Sequence, residues 1–173
     1  VPCSPYLEQF VNDLKSDKLV DRVLEFDSGN VNGSSHKKRH FLEAEKRQLG
    51  NLEARKLGCS HHISLDTDEF YWFDEFAFAK NYIEENDIDG SAVHITTYHR
   101  NPRHRLLGDA SFYVPFIHKV NPRINYQNHI NYFCYADPTR GTTGLQSPQI
   151  LSADMIHMHH FTLTRNSLID KFM

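Results

Sequence analysis

Cys59-Ser60-His61-His62-Ile63-Ser64-Leu65 runs directly into Asp66-Thr67-Asp68-Glu69-Phe70. The first seven residues predict a buried strand. The next five place three carboxylates within four residues at its end. Desolvating that much negative charge is costly unless a cation lies nearby. In an extended segment residues i and i+2 project to the same side, so Asp66 and Asp68 are expected to face one metal ion together. Open α/β sheets bind ligands beyond the carboxyl ends of their strands. The stretch therefore predicts a divalent metal holding a phosphorylated ligand.

Regular elements are expected on both sides of this stretch. Pro5 to Lys15 predicts an amphipathic helix, with Ser4 as N-cap and Leu7, Phe10, Val11 and Leu14 as its apolar stripe. Val20 to Phe26 predicts a strand ending at Asp27, and a polar, Gly-containing loop follows. Leu42, Ala44, Leu49, Leu52 and Leu57 recur at roughly helical spacing, and Gly58 stands where a C-terminal cap belongs. Trp72 to Glu84 predicts a further helix, with Phe73, Phe76, Ala77, Lys80 and Ile83 in register. Ser91 to Tyr98 predicts a strand. This alternation implies a largely parallel sheet with crossover helices. Residues 99–150 predict loops and short strands, some antiparallel, including the apolar run Phe112 to Val120. Asn166 to Phe172 predicts the start of a helix.

A chain of 173 residues is expected to form one domain with a substantial core. Its hydrophobic fraction of 39% and charged fraction of 24% are ordinary for a globular protein. A net charge of -3 gives no general attraction to nucleic acid or anionic membrane. No apolar stretch has the length of a membrane span. Cys3, Cys59 and Cys134 cannot all pair and lack zinc-knuckle spacing, which predicts a reduced, cytoplasmic setting.

The ordered set of motifs resembles one family. Asp27-Ser28-Gly29 after a strand, Glu45-Lys46-Arg47-Gln48-Leu49-Gly50 on a helix, and Leu65-Asp66-Thr67-Asp68-Glu69-Phe70 are similar to the nucleotide-sugar half of family 2-type glycosyltransferases. So are Ala136-Asp137-Pro138-Thr139-Arg140 and Met158-His159-His160-Phe161. The resemblance implies a GT-A-like three-layer sandwich with a mostly parallel central sheet. It also implies a single glycosyltransferase-like domain over 1–173, lacking the fold's first strand. It further implies a nucleoside diphosphate sugar donor, a saccharide or other hydroxyl acceptor, and a divalent cation. Under it Asp68 ligates the metal, Asp66 contacts the metal or the ribose, and His159 or His160 completes the coordination. Asp27 contacts the base, and Lys46 and Arg47 contact the donor.

The chemistry of those residue types fits this expectation. A cation bridging diphosphate oxygens stabilises the charge of the departing group. Carboxylates with an imidazole favour Mn²⁺ over Mg²⁺. Arg140 and Arg165 are candidates for charge-assisted bonds to phosphate. In an inverting enzyme a carboxylate takes the acceptor's proton, with Asp137 preferred over Asp109 and Asp154.

Plainer alternatives stand beside these. Asp66 or Asp68 would cap a helix starting near Phe70. His157, His159 and His160 would be polar residues on a strand beside the core, and His61 and His62 would be structural. Lys37, Lys38, Arg39 and His40 would be solvated. Tyr71 or Trp72 would fill core or stack on a sugar. A metal-dependent phosphoesterase or nucleotidyltransferase, and a non-catalytic binding module, are the competing functions.

Overall fold

The computed structural model describes residues 5–26, 36–99, 101, 103–106, 112–127 and 132–163. The chain forms two compact units, Val1–Asn32 and Gly33–Met173.

In the first unit the expected helix forms as α1, Pro5–Ser16. Its end is closed by a Schellman pair, Leu19 N–H to the Leu14 carbonyl (2.9 Å) and Lys18 N–H to the Lys15 carbonyl (3.1 Å). Lys18 takes the left-handed conformation that this closure requires, at φ 55°. The strand expected over residues 20–26 does not form. Val23 and Leu24 are each 42% exposed. A strand needs a neighbour for its backbone ladder, and none of the described strands pairs with this segment.

In the second unit α2 covers His36–Lys56, and Gly58 closes it as expected, at φ 72°. The face that α2 buries is polar rather than leucine-rich: Arg47 and Asn51 are buried while Leu52 is exposed. Asn51 donates to the Ile124 carbonyl (3.1 Å), and Gln48 accepts from Tyr126 N–H (2.8 Å). Helix α2 is thus held by directional hydrogen bonds, which an apolar-periodicity argument does not register.

Two strands and a helix follow α2: β1 (His61–Ile63), β2 (Glu69–Phe70) and α3 (Phe73–Glu85). The long β3 (Gly90–His99) and β4 (Tyr113–Lys119) come next. The short β5 (Asn125–Tyr126), β6 (Thr142–Thr143) and β7 (Pro148–Ile150) lead to β8 (His157–Leu163). β3 is central. β4 pairs antiparallel along one edge, with Val93 opposite Val114. β7 and β8 pair parallel along the other edge, with Ala92 opposite Ile150 and Ile95 opposite Met158. β1 lies outside β4 and β2 outside β8, both antiparallel. β5 and β6 form a separate two-stranded sheet.

This architecture overturns the expected GT-A-like three-layer sandwich. The sheet is mixed: β1–β4, β2–β8 and β3–β4 pair antiparallel, and of the described pairings only β3–β7 and β3–β8 are parallel. The reason lies in the connections. A parallel neighbour needs a crossover of a dozen or more residues, usually helical. The segment between β3 and β4 holds no described helix, so β4 returns antiparallel and separates β1 from β3. The chain after β1 reverses within a few residues, which sends β2 to the far edge.

The core packs α3 against one face of this sheet. Ala79 and Ile83 meet Val93, Val114, Phe116 and Met158, all at most 3% exposed. The helical stripe is Phe76, Ala79 and Ile83, whereas Phe73 is 82% exposed. Burying one such isoleucine contributes about 1.5–3 kcal/mol. No described helix is long and apolar enough to cross a membrane.

Candidate functional site

The acidic run forms a tight turn, not an extended segment. Glu69 N–H donates to the Asp66 carbonyl (3.1 Å), and Asp66 N–H donates to Glu69 Oε2 (3.0 Å). The i, i+2 argument for a shared ion therefore does not apply: Asp66 and Glu69 share one guanidinium, and Asp68 faces a different partner. Helix α3 begins only at Phe73, and Trp72 at its N-cap makes no side-chain cap bond. The capping alternative for Asp66 and Asp68 is thus not what forms.

Asp66 is gripped by two guanidiniums. Arg47 reaches it from α2 at 3.2 Å and also donates to Ser64 Oγ. Arg140 bonds Asp66 Oδ2 at 2.5 Å and forms a doubly hydrogen-bonded pair with Glu69. The Arg140 and Glu69 side chains are only 4% and 3% exposed, while Asp66 remains 42% exposed. Burial alone would raise the Asp66 pKa, but the charges of Arg140 and Arg47 outweigh it and hold the carboxyl below its usual range. Burial likewise works against the Arg140 cation, and Glu69 and then Asp66 more than compensate.

Asp68 turns elsewhere. Its Oδ2 lies 3.9 Å from His160 Nε2, across the β2–β8 pairing. Phe161 N–H donates to the Asp68 carbonyl (2.8 Å), which fixes the turn against β8. Neighbouring strand residues face opposite sides, so His159 points away from this pair. Its Nδ1 hydrogen-bonds the Tyr98 hydroxyl (2.8 Å) on the other face.

Asp66, Asp68 and Asp137 line one cleft of about 760 Å³, with Lys46 and Arg47 on its α2 side. Lys46 pairs with Glu43 at 3.6 Å and is well exposed. One oxygen of Asp137 accepts from the Thr139 N–H and hydroxyl, both at 2.7 Å. Its carbonyl accepts from Arg140 N–H (3.0 Å), so Asp137 builds the turn that delivers Arg140. Arg140 is consumed by Asp66 and Glu69 and serves to position them, in contrast to its expected place on a phosphate. Asp154 lies on an exposed turn outside the cleft lining. Asp27, Asp109 and Arg165 lie outside the described residues.

Of the four expected metal ligands, the fold brings Asp68 and His160 together, commits Asp66 to arginines and sends His159 elsewhere. Among the described residues no group of three or more His, Cys, Asp or Glu side chains is placed to hold an ion. A carboxylate oxygen and an imidazole nitrogen sharing one ion at about 2.1 Å each sit roughly 3 to 4 Å apart. The Asp68–His160 spacing fits that test as a two-ligand half-site, with the remaining positions left for ligand oxygens and water.

Sequence reasoning counted Glu69 only as one charge of the acidic run and read His62 as structural, so neither was placed in the site. Glu69 sits three residues after Asp66, the spacing that closes a turn, and this was the available signal. His62 lines the cleft and touches Tyr126, with Nδ1 at 3.3 Å from its hydroxyl. Burial, then the charges of His118 and Arg47, pushes its pKa down to about 4. No protein-family model, curated protein or solved structure matches this chain.

Proposed function

We propose that the cleft at the end of β1 transfers a glycosyl group from a nucleoside diphosphate sugar to an acceptor hydroxyl, with a divalent cation, Mn²⁺ before Mg²⁺. The observation that carries this reading is the Asp68–His160 pair at 3.9 Å beside a cleft of about 760 Å³. A cation bound there would supply Lewis-acid stabilisation of a departing diphosphate. Asp68 and His160 are the chain's own ligands to it, and the mixed carboxylate and imidazole set favours Mn²⁺.

The remaining residues act around that point. The Arg47–Asp66–Arg140–Glu69 network fixes the turn that aims Asp68. Asp66 keeps an exposed side that accepts hydrogen bonds from donor hydroxyls. Lys46, exposed on the α2 rim, supplies a mobile positive charge for a phosphate. Asp137 is the base that takes the acceptor proton in an inverting transfer. Its bonds to Thr139 hold the carboxylate in one orientation.

One observation favours a second reading, a non-catalytic binding module. Asp66 is engaged by two guanidiniums, as in networks that only stabilise a fold. Calorimetry with Mn²⁺ and UDP-, GDP- and CMP-linked sugars, together with a transfer and hydrolysis assay, separates the two. Donor binding that needs Mn²⁺ and Asp68, with turnover, supports the transferase. Binding without turnover supports the module. No binding of any donor, and no effect of Asp68→Ala, removes both.

A further inference from the structure

The other face of the β8 edge carries a second cleft, of about 580 Å³, lined by Phe70, Tyr71, Trp72, Tyr98, His159 and Phe161. Strand alternation separates it from the carboxylate cleft. Glu69 and His160 pair on one face, and Phe70 and His159 on the other. Its lining has three properties that together define an occupant.

First, two of the rings are exposed and pack edge-on against partly buried neighbours. Trp72 is 65% and Phe70 54% exposed. Tyr98 and Phe161 are stacked nearly parallel, 4° apart in angle with centroids 4.6 Å apart. Trp72 meets His159 edge-on at 5.7 Å, and Phe70 meets Phe161 edge-on at 5.5 Å. Second, among the described residues no Asp, Glu, Lys or Arg lines the cleft. A charged ligand would find no ion-pair partner among these six side chains. Third, polar groups sit among the rings. The Tyr98 hydroxyl is bonded to His159 Nδ1, and His159 Nε2 is buried with no hydrogen-bond partner among the described residues. A buried polar atom in that state calls for a partner.

We infer that this cleft binds a neutral saccharide, stacked on its aromatic walls and hydrogen-bonded to the Tyr98–His159 pair. A pyranose ring has one face rich in C–H groups, which the negative π-face of an aromatic ring attracts. Its hydroxyls donate and accept at the edges. It is uncharged, in keeping with the six described lining side chains. The mixture of apolar walls and a few convergent polar groups is that of a small-ligand pocket. The inference rests on this cleft alone and is independent of the cation reading for Asp68 and His160.

The chain reports on the site directly, because Trp72 is its single tryptophan. The full chain is titrated with neutral malto-, cello-, chito- and manno-oligosaccharides, following tryptophan emission and, in parallel, calorimetric heat. At least one series is expected to give a saturable emission change and matching heat. Trp72→Ala and Phe70→Ala, both exposed positions outside the core, are expected to weaken calorimetric binding by up to about ten-fold each. Circular dichroism checks that both remain folded. Asp68→Asn is expected to leave saccharide binding unchanged. The inference is overturned if no oligosaccharide produces an emission change or heat. It is also overturned if binding survives both aromatic truncations, or disappears with Asp68→Asn, which would put the sugar in the carboxylate cleft. Binding of the apolar dye anilinonaphthalene sulfonate alone, with no saccharide response, likewise overturns it and marks an apolar docking surface.

Discussion

Arg140 and Glu69 lie face to face in the interior, joined by two hydrogen bonds, with each side chain under 5% exposed. Removing one partner of such a pair leaves an uncompensated buried charge, which costs about 3–5 kcal/mol. Arg140→Met is therefore expected to lower unfolding free energy by that order in urea titrations. Adding Glu69→Gln should recover part of the loss, because the stranded carboxylate is then gone. A cost below 1 kcal/mol for Arg140→Met would show that the network is solvated and not structural.

Histidine burial sets an acid limit. His62 is held down to about 4, and burial also lowers His118. A group whose folded pKa is depressed binds fewer protons folded than unfolded. Stability is then full above the unfolded value of about 6.5 and falls as pH drops toward 4. His62 alone contributes at most about 3 kcal/mol over that window. The Asp66 carboxyl, also depressed, loses its contribution only at lower pH, as acid passes through the carboxylate range. Stability followed from pH 7 to pH 4 should decline, and His62→Phe should flatten the decline. An unchanged slope in that variant would falsify the assignment.

Two glycines with left-handed backbone make a graded pair. At Gly58, φ 72°, an added Cβ meets nothing within 4 Å. At Gly144, φ 81°, it would come within 2.1 Å of the Arg123 carbonyl oxygen. Gly58→Ala is expected to cost about 1–2 kcal/mol, the strain of the backbone alone. Gly144→Ala must also displace the 121–124 turn and should cost clearly more. Thermal unfolding of the two variants gives the order, and equal shifts would count against the close approach at Gly144.

Asp68 and Asp137 should separate kinetically if the transferase reading holds. Asp68→Asn is expected to abolish Mn²⁺-dependent donor binding. Asp137→Asn should leave donor binding intact and lower turnover by about 10²–10⁴-fold, the usual contribution of a general base. The same loss of donor binding in both variants would assign Asp137 to the cleft's architecture, through its hold on the Arg140 turn.

Much of the local structure was legible in the chain. Helix α1, helix α3 and strand β3 were expected within a residue or so of where they form. Gly58 closes α2 as its position implied. These depend on neighbours in sequence: caps, periodicity and a left-handed residue. The strand over residues 20–26 was misread for the complementary reason. An apolar run becomes a strand only when another strand offers its backbone groups, and no described strand does so here.

The site divides along the same line. The residue types of the Asp66–Phe70 run announced concentrated negative charge, and that is a property of sequence alone. Which charge answers each carboxylate was fixed by the tertiary structure. Arg140 comes from 74 residues beyond Asp66 and arrives through a turn built by Asp137. The fates of His159 and His160 differ by one position in a strand, because alternation sends successive side chains to opposite faces. The pairing of β2 with β8 decides that Asp68 meets the imidazole of His160, and the pairing of β3 with β8 decides that the Tyr98 hydroxyl meets that of His159.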